Sequence, residues 1–171
     1  VGWKGENNVE ALYNAEKEMS RLTVQYINSF NPLPVFVIVC GDLVNSMPTQ
    51  RQAQNLEVKD FKAIFSKLNP SIQLICLCGN HDIGDKPSPM NIDVYKQRFS
   101  DDYYSFWYEG VKFIVLNSQL YKFDVNAKQL AKEQDEWLDK ELLEMNTFDN
   151  GKNNNSSNFN TTVITNDNNH T

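Results

Sequence analysis

Two short stretches carry residues fit for chemistry, Gly41-Asp42 and Gly79-Asn80-His81-Asp82, and each directly follows an apolar run. The carboxylate of Asp42 and the amide oxygen of Asn80 are hard donors of the kind that suit divalent cations, and a carboxylate can bridge two of them. A pair of such cations activates a water and clamps phosphate oxygens for in-line displacement. His81 then stands where it can donate a proton to a leaving oxygen. Asp82, its neighbour in sequence, is expected to hold the imidazole and favour its cationic form. Alone, a Gly-Asp pair is only a turn whose carboxylate caps the next element. The second stretch gives it weight.

The elements around these residues explain how they could meet. Val35 to Cys40 is a continuous apolar run rich in β-branched residues, as expected of a strand covered on both faces, and Ile72 to Cys78 reads as a second buried strand. Between them Leu56, Phe61, Ile64, Phe65 and Leu68 recur at helical spacing from Arg51 to Leu68, and Asn69-Pro70 stops the pattern. Strand, helix and strand form a βαβ unit whose strands run parallel, so both C-terminal ends point the same way. Ligands of open α/β sheets bind at those ends, which brings Asp42 and Asn80 to one cleft. Asn45, in the loop after Asp42, is a candidate substrate contact at the rim. Asn117, with Tyr121, is a weaker one at the end of a third strand.

Upstream, Asn7 to Phe30 approximates a helical stripe that Asn31-Pro32-Leu33-Pro34 ends. Downstream, Asp93 to Phe99 predicts a short helix. Tyr103 to Tyr108 and Val111 to Asn117 predict two strands joined by Glu109-Gly110, and Ala127 to Met145 a further helix. The Tyr103, Tyr104, Phe106, Trp107 and Tyr108 run reads as strand packing. Residues 1–145 thus form the folded unit. Residues 146–171 are Asn-rich and of low complexity, with too little apolar surface to order themselves. Their N-x-S/T triplets are what such composition produces by chance.

Composition narrows the function. Net charge is −6, from 16 basic and 22 acidic residues, so no general attraction to nucleic acid is expected. No apolar run approaches the roughly 18 to 20 residues of a membrane span. Cys40, Cys76 and Cys78 lie in the apolar runs, odd in number and without framework spacing, which suggests core thiols in a reducing, cytoplasmic setting.

Gly41-Asp42-Leu43-Val44-Asn45 and Gly79-Asn80-His81-Asp82 resemble the second and third motif blocks of the calcineurin-like metallophosphoesterases. The flanks Trp3-Lys4-Gly5, Asp82-Ile83-Gly84, Asp101 to Trp107, Leu116 to Gln119 and Glu136-Trp137-Leu138 are similar, in order, to the calcineurin-like phosphoesterase domain-containing protein 1 group. That resemblance implies an α/β fold, part of a four-layer α/β/β/α sandwich with a central βαβ unit. It also implies two divalent metal ions (Mn, Fe, Zn or Mg), with Asp42 as the bridging ligand, Asn80 on the second metal, and His81 with Asp82 as the acid pair. The implied reaction is phosphomonoester hydrolysis on a phosphorylated protein, at phosphoserine or phosphothreonine. The same blocks serve nucleotide phosphodiesterases, and a non-catalytic binding scaffold is the alternative outside enzymes.

The family pattern is incomplete here. An Asp-containing block belongs before Trp3, and later blocks supply a His and a Gly-His-x-His, yet His81 and His170 are the only histidines. Two donors are too few to hold two metals tightly. The chain is therefore expected to be a piece of the phosphoesterase domain, incomplete at both ends and inactive alone, with one sheet edge left bare. The Arg that follows Gly-Asp in classical phosphoprotein phosphatase catalytic subunits is absent.

Overall fold

The computed structural model describes residues 7–148. β1 (Phe36–Cys40), α2 (Arg51–Phe65) and β2 (Gln73–Leu77) make the expected βαβ unit, with the strands parallel, Phe36 opposite Gln73 and Cys40 opposite Leu77. α1 (Asn7–Asn28) and α2 cover one face of this pair: Val24 and Ile27 from α1 and Ile64 and Phe65 from α2 pack with Val37 and Leu74 of the strands. Period-2 alternation sends Phe36, Ile75 and Leu77 to the opposite face.

That second face meets a hairpin. β3 (Tyr104–Tyr108) and β4 (Val111–Val115) pair antiparallel through Glu109 and Gly110, whose φ of 47° and 81° give the two left-handed residues of a tight two-residue turn. Phe106 and Val115 pack on Ile75, and the Phe36 ring makes edge contacts with Phe106 and Phe113 at centroid distances of 5.8 and 5.3 Å. The hairpin's outer face is covered by α6 (Lys128–Phe148). There Ser105 Oγ donates to Glu141 at 2.7 Å, Lys112 pairs with Glu141 at 2.5 Å, and Tyr103 packs on Trp137. The layers run helices, β1–β2, β3–β4, α6, the α/β/β/α order of a partial metallophosphoesterase sandwich.

Several expectations need correction. β1 is not covered on both faces: Ile38 is 38% exposed and Cys40 is exposed. The hairpin aromatics reach Phe36 at the start of the strand, while Val37 and Val39 turn to the helical side. Among the described residues β1 and β2 pair only with each other, so each leaves one edge without a strand partner. α4 (Pro89–Arg98) starts earlier than Asp93, because Ser88 Oγ accepts from Asn91 N and Pro89 occupies the first helical position. The short helices α3 (Asn80–Ile83) and α5 (Ser118–Lys122) were not expected, and β4 stops at Val115 because Asn117 caps α5. α6 runs on to Phe148, into the first residues of the expected low-complexity segment. The rest of residues 146–171, His170 and Trp3-Lys4-Gly5 lie outside the described residues. No helix among the described residues is long and apolar enough to cross a membrane.

Candidate functional site

The C-terminal ends of β1 and β2 lie side by side, and glycine is required at both. Gly41 has φ 79°, and a Cβ there would sit 3.0 Å from Gly79 Cα. A Cβ on Gly79 would fall 2.2 Å from Asp42 Oδ1 and 2.3 Å from Asp42 N. The two turns touch with no side chain between them. Asp42 itself takes φ 49°, a left-handed conformation that Asp tolerates better than most residues. Its Oδ1 accepts the His81 backbone N–H at 3.0 Å, which ties the first motif to the second.

Asn80 opens α3 and donates through Nδ2 to Asp85 Oδ1 at 3.1 Å, which engages the donor end of its amide. His81 presents Nδ1 to the backbone carbonyl oxygen of Asn45. Asp42, Asn45 and His81 line one cleft of about 390 Å³, whose other wall includes Tyr13 and Lys17 of α1. Tyr13 donates to Asp60 at 2.9 Å and Lys17 pairs with it at 3.1 Å, so α1 and α2 are pinned to each other beside the site.

Asp82 does not hold the imidazole. It is 4% exposed, and its carboxylate accepts from Gly79 N at 2.7 Å and from Leu43 N at 3.1 Å. It is a clamp between the two turns rather than the partner of His81. Consecutive residues on a helical turn do not face each other, so the His-Asp adjacency in sequence separates the two side chains. Burial pushes the Asp82 carboxyl up from 3.8 to about 6, against the lowering by the Gly79 and Leu43 amides, and the nearby Asp42 charge adds to the rise. A raised carboxyl binds its proton more tightly in the folded chain than in the unfolded one. Its contribution to stability therefore falls as pH rises from 3.8 to about 6, by about 3 kcal/mol in all. Urea unfolding of the wild type against Asp82→Asn, across that window, is expected to show this decline as a change in their stability difference. A pH-independent difference would contradict it.

Asn117 is not at the rim. It is 0% exposed, its side-chain oxygen caps α5 through Gln119 N, its Nδ2 donates to Asp102, and Gln134 bonds both its backbone N–H and its carbonyl. Tyr121 is exposed on α5. Cys76 and Cys78 are buried in the core with Phe61 and Tyr95, and burial pushes the Cys76 thiol up to about 12 and Cys78 up as well, so both stay protonated.

Sequence reasoning passed over two residues of α2. Glu57 accepts from Asn45 N, Ser46 N and Ser46 Oγ at 2.9, 2.7 and 2.6 Å. Gln54, 0% exposed, donates to the His81 carbonyl at 3.0 Å and also to that of Ser46, while Arg98 donates to its Oε1 at 2.7 Å. Their spacing of three residues puts both on one helix face, a polar pair in an otherwise apolar face, and that was the available signal.

Asp42 and Asn80 offer hard oxygen donors of the right chemistry for a divalent cation. Among the described residues, however, no three His, Cys, Asp or Glu side chains gather into a group that could hold a metal.

Two glycine turns abutting at the ends of parallel strands, with Asp, Asn and His on them, are a pattern that comparison with known proteins can test. The sequence pattern described as calcineurin-like phosphoesterase matches residues 11–165. The chain belongs to this family. Serine/threonine-protein phosphatase CPPED1 from Pongo abelii is 38% identical over 130 residues, 76% of this chain and 41% of that protein. The Homo sapiens protein of that name is 37% identical over the same shares, and the Danio rerio protein 35% identical, with 42% of its length covered. The chain thus spans about two fifths of the length of these curated relatives. No solved structure matches.

Proposed function

We propose that the complete protein is a metal-dependent phosphoesterase that removes phosphate from phosphoserine or phosphothreonine in a phosphorylated protein. The observation that carries this reading is the joining of Asp42 and His81 in one cleft, by the bond from His81 N to Asp42 Oδ1. The name serine/threonine-protein phosphatase borne by the relatives supports the substrate class. In this reading Asp42 and Asn80 are two of the oxygen donors to a pair of divalent metal ions, and the remaining donors come from outside the described residues. Asn45 borders the substrate.

His81 has a definite part. Nδ1 lies against the Asn45 carbonyl oxygen, which can only accept, so Nδ1 is the donor there and Nε2 is the ring nitrogen left to face the leaving oxygen. A proton held at Nε2 can pass to the leaving oxygen as the phosphorus–oxygen bond breaks.

The test is hydrolysis of p-nitrophenyl phosphate with added manganese. The 171-residue chain is compared with one extended to the length of its relatives. Metal-dependent turnover is expected from the extended chain only, and Asp42→Asn is expected to abolish it. Turnover by the short chain, lost in Asp42→Asn, would show that it is complete. No turnover by the extended chain would leave the scaffold reading.

A further inference from the structure

We propose that Glu57 is the positioning residue of His81, acting through the peptide unit that joins Asn45 to Ser46. Its bearing on catalysis rests on the function proposed above; the geometry stands apart from it.

The Asn45 carbonyl and the Ser46 N–H belong to one planar peptide group, in which they point in opposite directions. Glu57 accepts that Ser46 N–H at 2.7 Å, and accepts the Asn45 N–H and the Ser46 hydroxyl at 2.9 and 2.6 Å. Fixing the N–H on one side of the peptide fixes the carbonyl on the other, and that carbonyl is what meets His81 Nδ1. Hydrogen bonds to a charged acceptor are the stronger class, so three of them on one carboxylate hold the loop firmly.

The anchor is a rigid one. Glu57 stands on α2, and Gln54, three residues earlier on the same face, holds the His81 backbone carbonyl at 3.0 Å. One helix thus sets both the backbone of His81 and the acceptor for its ring. The partners of Glu57 are 11 and 12 residues away in sequence, and no other bond holds the Asn45 and Ser46 N–H groups among those found for the described residues. A peptide flip there would remove the acceptor from Nδ1, release the ring and let either nitrogen carry the proton of the neutral imidazole.

The tautomer of His81 is therefore the readout. It needs neither metal nor turnover, and a carboxylate that served only to stabilise the fold would not change it. The 171-residue chain has two histidines, His81 and His170, so nitrogen NMR of the chain labelled at histidine gives two imidazoles, told apart by His170→Ala. In alkaline buffer, where the rings are neutral, wild-type His81 is expected as the Nδ1–H tautomer. Glu57→Ala is expected to lose that tautomer in exchange for Nε2–H. Glu57→Gln keeps one acceptor oxygen and is expected to fall between them. A folded Glu57→Ala chain with His81 unchanged, or a wild-type His81 in the Nε2–H form, would overturn the proposal. Should Glu57→Ala not fold, Glu57→Gln decides by the same measurement: an unchanged tautomer there overturns it too. A shifted tautomer together with an extended chain that hydrolyses no phosphoester would keep the positioning role and remove the catalytic one.

Discussion

Gly79→Ala is expected to destabilise the folded chain by about 3 kcal/mol or more, at the upper end of what overpacking costs. The residue's own backbone is no obstacle, since φ −115° and ψ −177° are extended values that alanine adopts freely. The cost is steric. The new methyl would lie 2.2 Å from Asp42 Oδ1 and 2.3 Å from Asp42 N, and a backbone atom cannot swing aside as a side-chain tip can. Relief would require the two turns to part, and that breaks the bond from His81 N to Asp42 and strains the Asp82 clamp across Gly79 and Leu43. Gly110→Ala is the control. Gly110 has φ 81° with nothing within 4 Å of an added Cβ, so only the left-handed conformation is penalised, by roughly 1–2 kcal/mol. Denaturant unfolding of the two variants separates contact from conformation. Equal losses would mean that the turns do not abut as described.

The parts of the site that the sequence made legible are those encoded locally. A mainly apolar run followed by Gly, twice, with a helical repeat between, leaves little choice but parallel strands with their loops together, and Asp42 and His81 do meet. Adjacency misled where the backbone rotates side chains apart. His81-Asp82 reads as a pair, yet α3 sends Asp82 into the core and His81 to the cleft. Asn117 carried the same signal as Asn45, a polar residue after a strand, and only the packing of α5 and α6 makes one a buried cap and the other a cleft residue. The half-open face of β1 was hidden for a related reason. An apolar run looks the same whether its second face is covered or bare, and the cover comes from Phe106 and Phe113, about 70 residues further on. The hold of Glu57 on the Asn45 loop likewise joins residues whose separation matches no local repeat.

In a catalytically competent, extended form, His81→Ala is expected to slow hydrolysis of an alkyl phosphate such as phosphoserine by about 10² to 10⁴, the usual worth of a positioned general acid. The same variant is expected to lose far less on p-nitrophenyl phosphate. A serine alkoxide is a poor leaving group that needs a proton as the bond breaks, whereas p-nitrophenolate leaves without one. The contrast between substrates matters more than either rate. His81 N also bonds Asp42, but that bond comes from the backbone and survives the side-chain change, so a general collapse of the site is not built into the variant. Damage to the fold would slow both substrates alike, and metal content measured on the variant separates damage to metal binding. A selective loss on the alkyl phosphate, with the bound metal content unchanged, is the result expected of a missing proton donor. The ring's second nitrogen, held by the Asn45 carbonyl, makes that proton available in one place. Equal losses on the two substrates would remove His81 from proton transfer and leave it a structural link between the motifs.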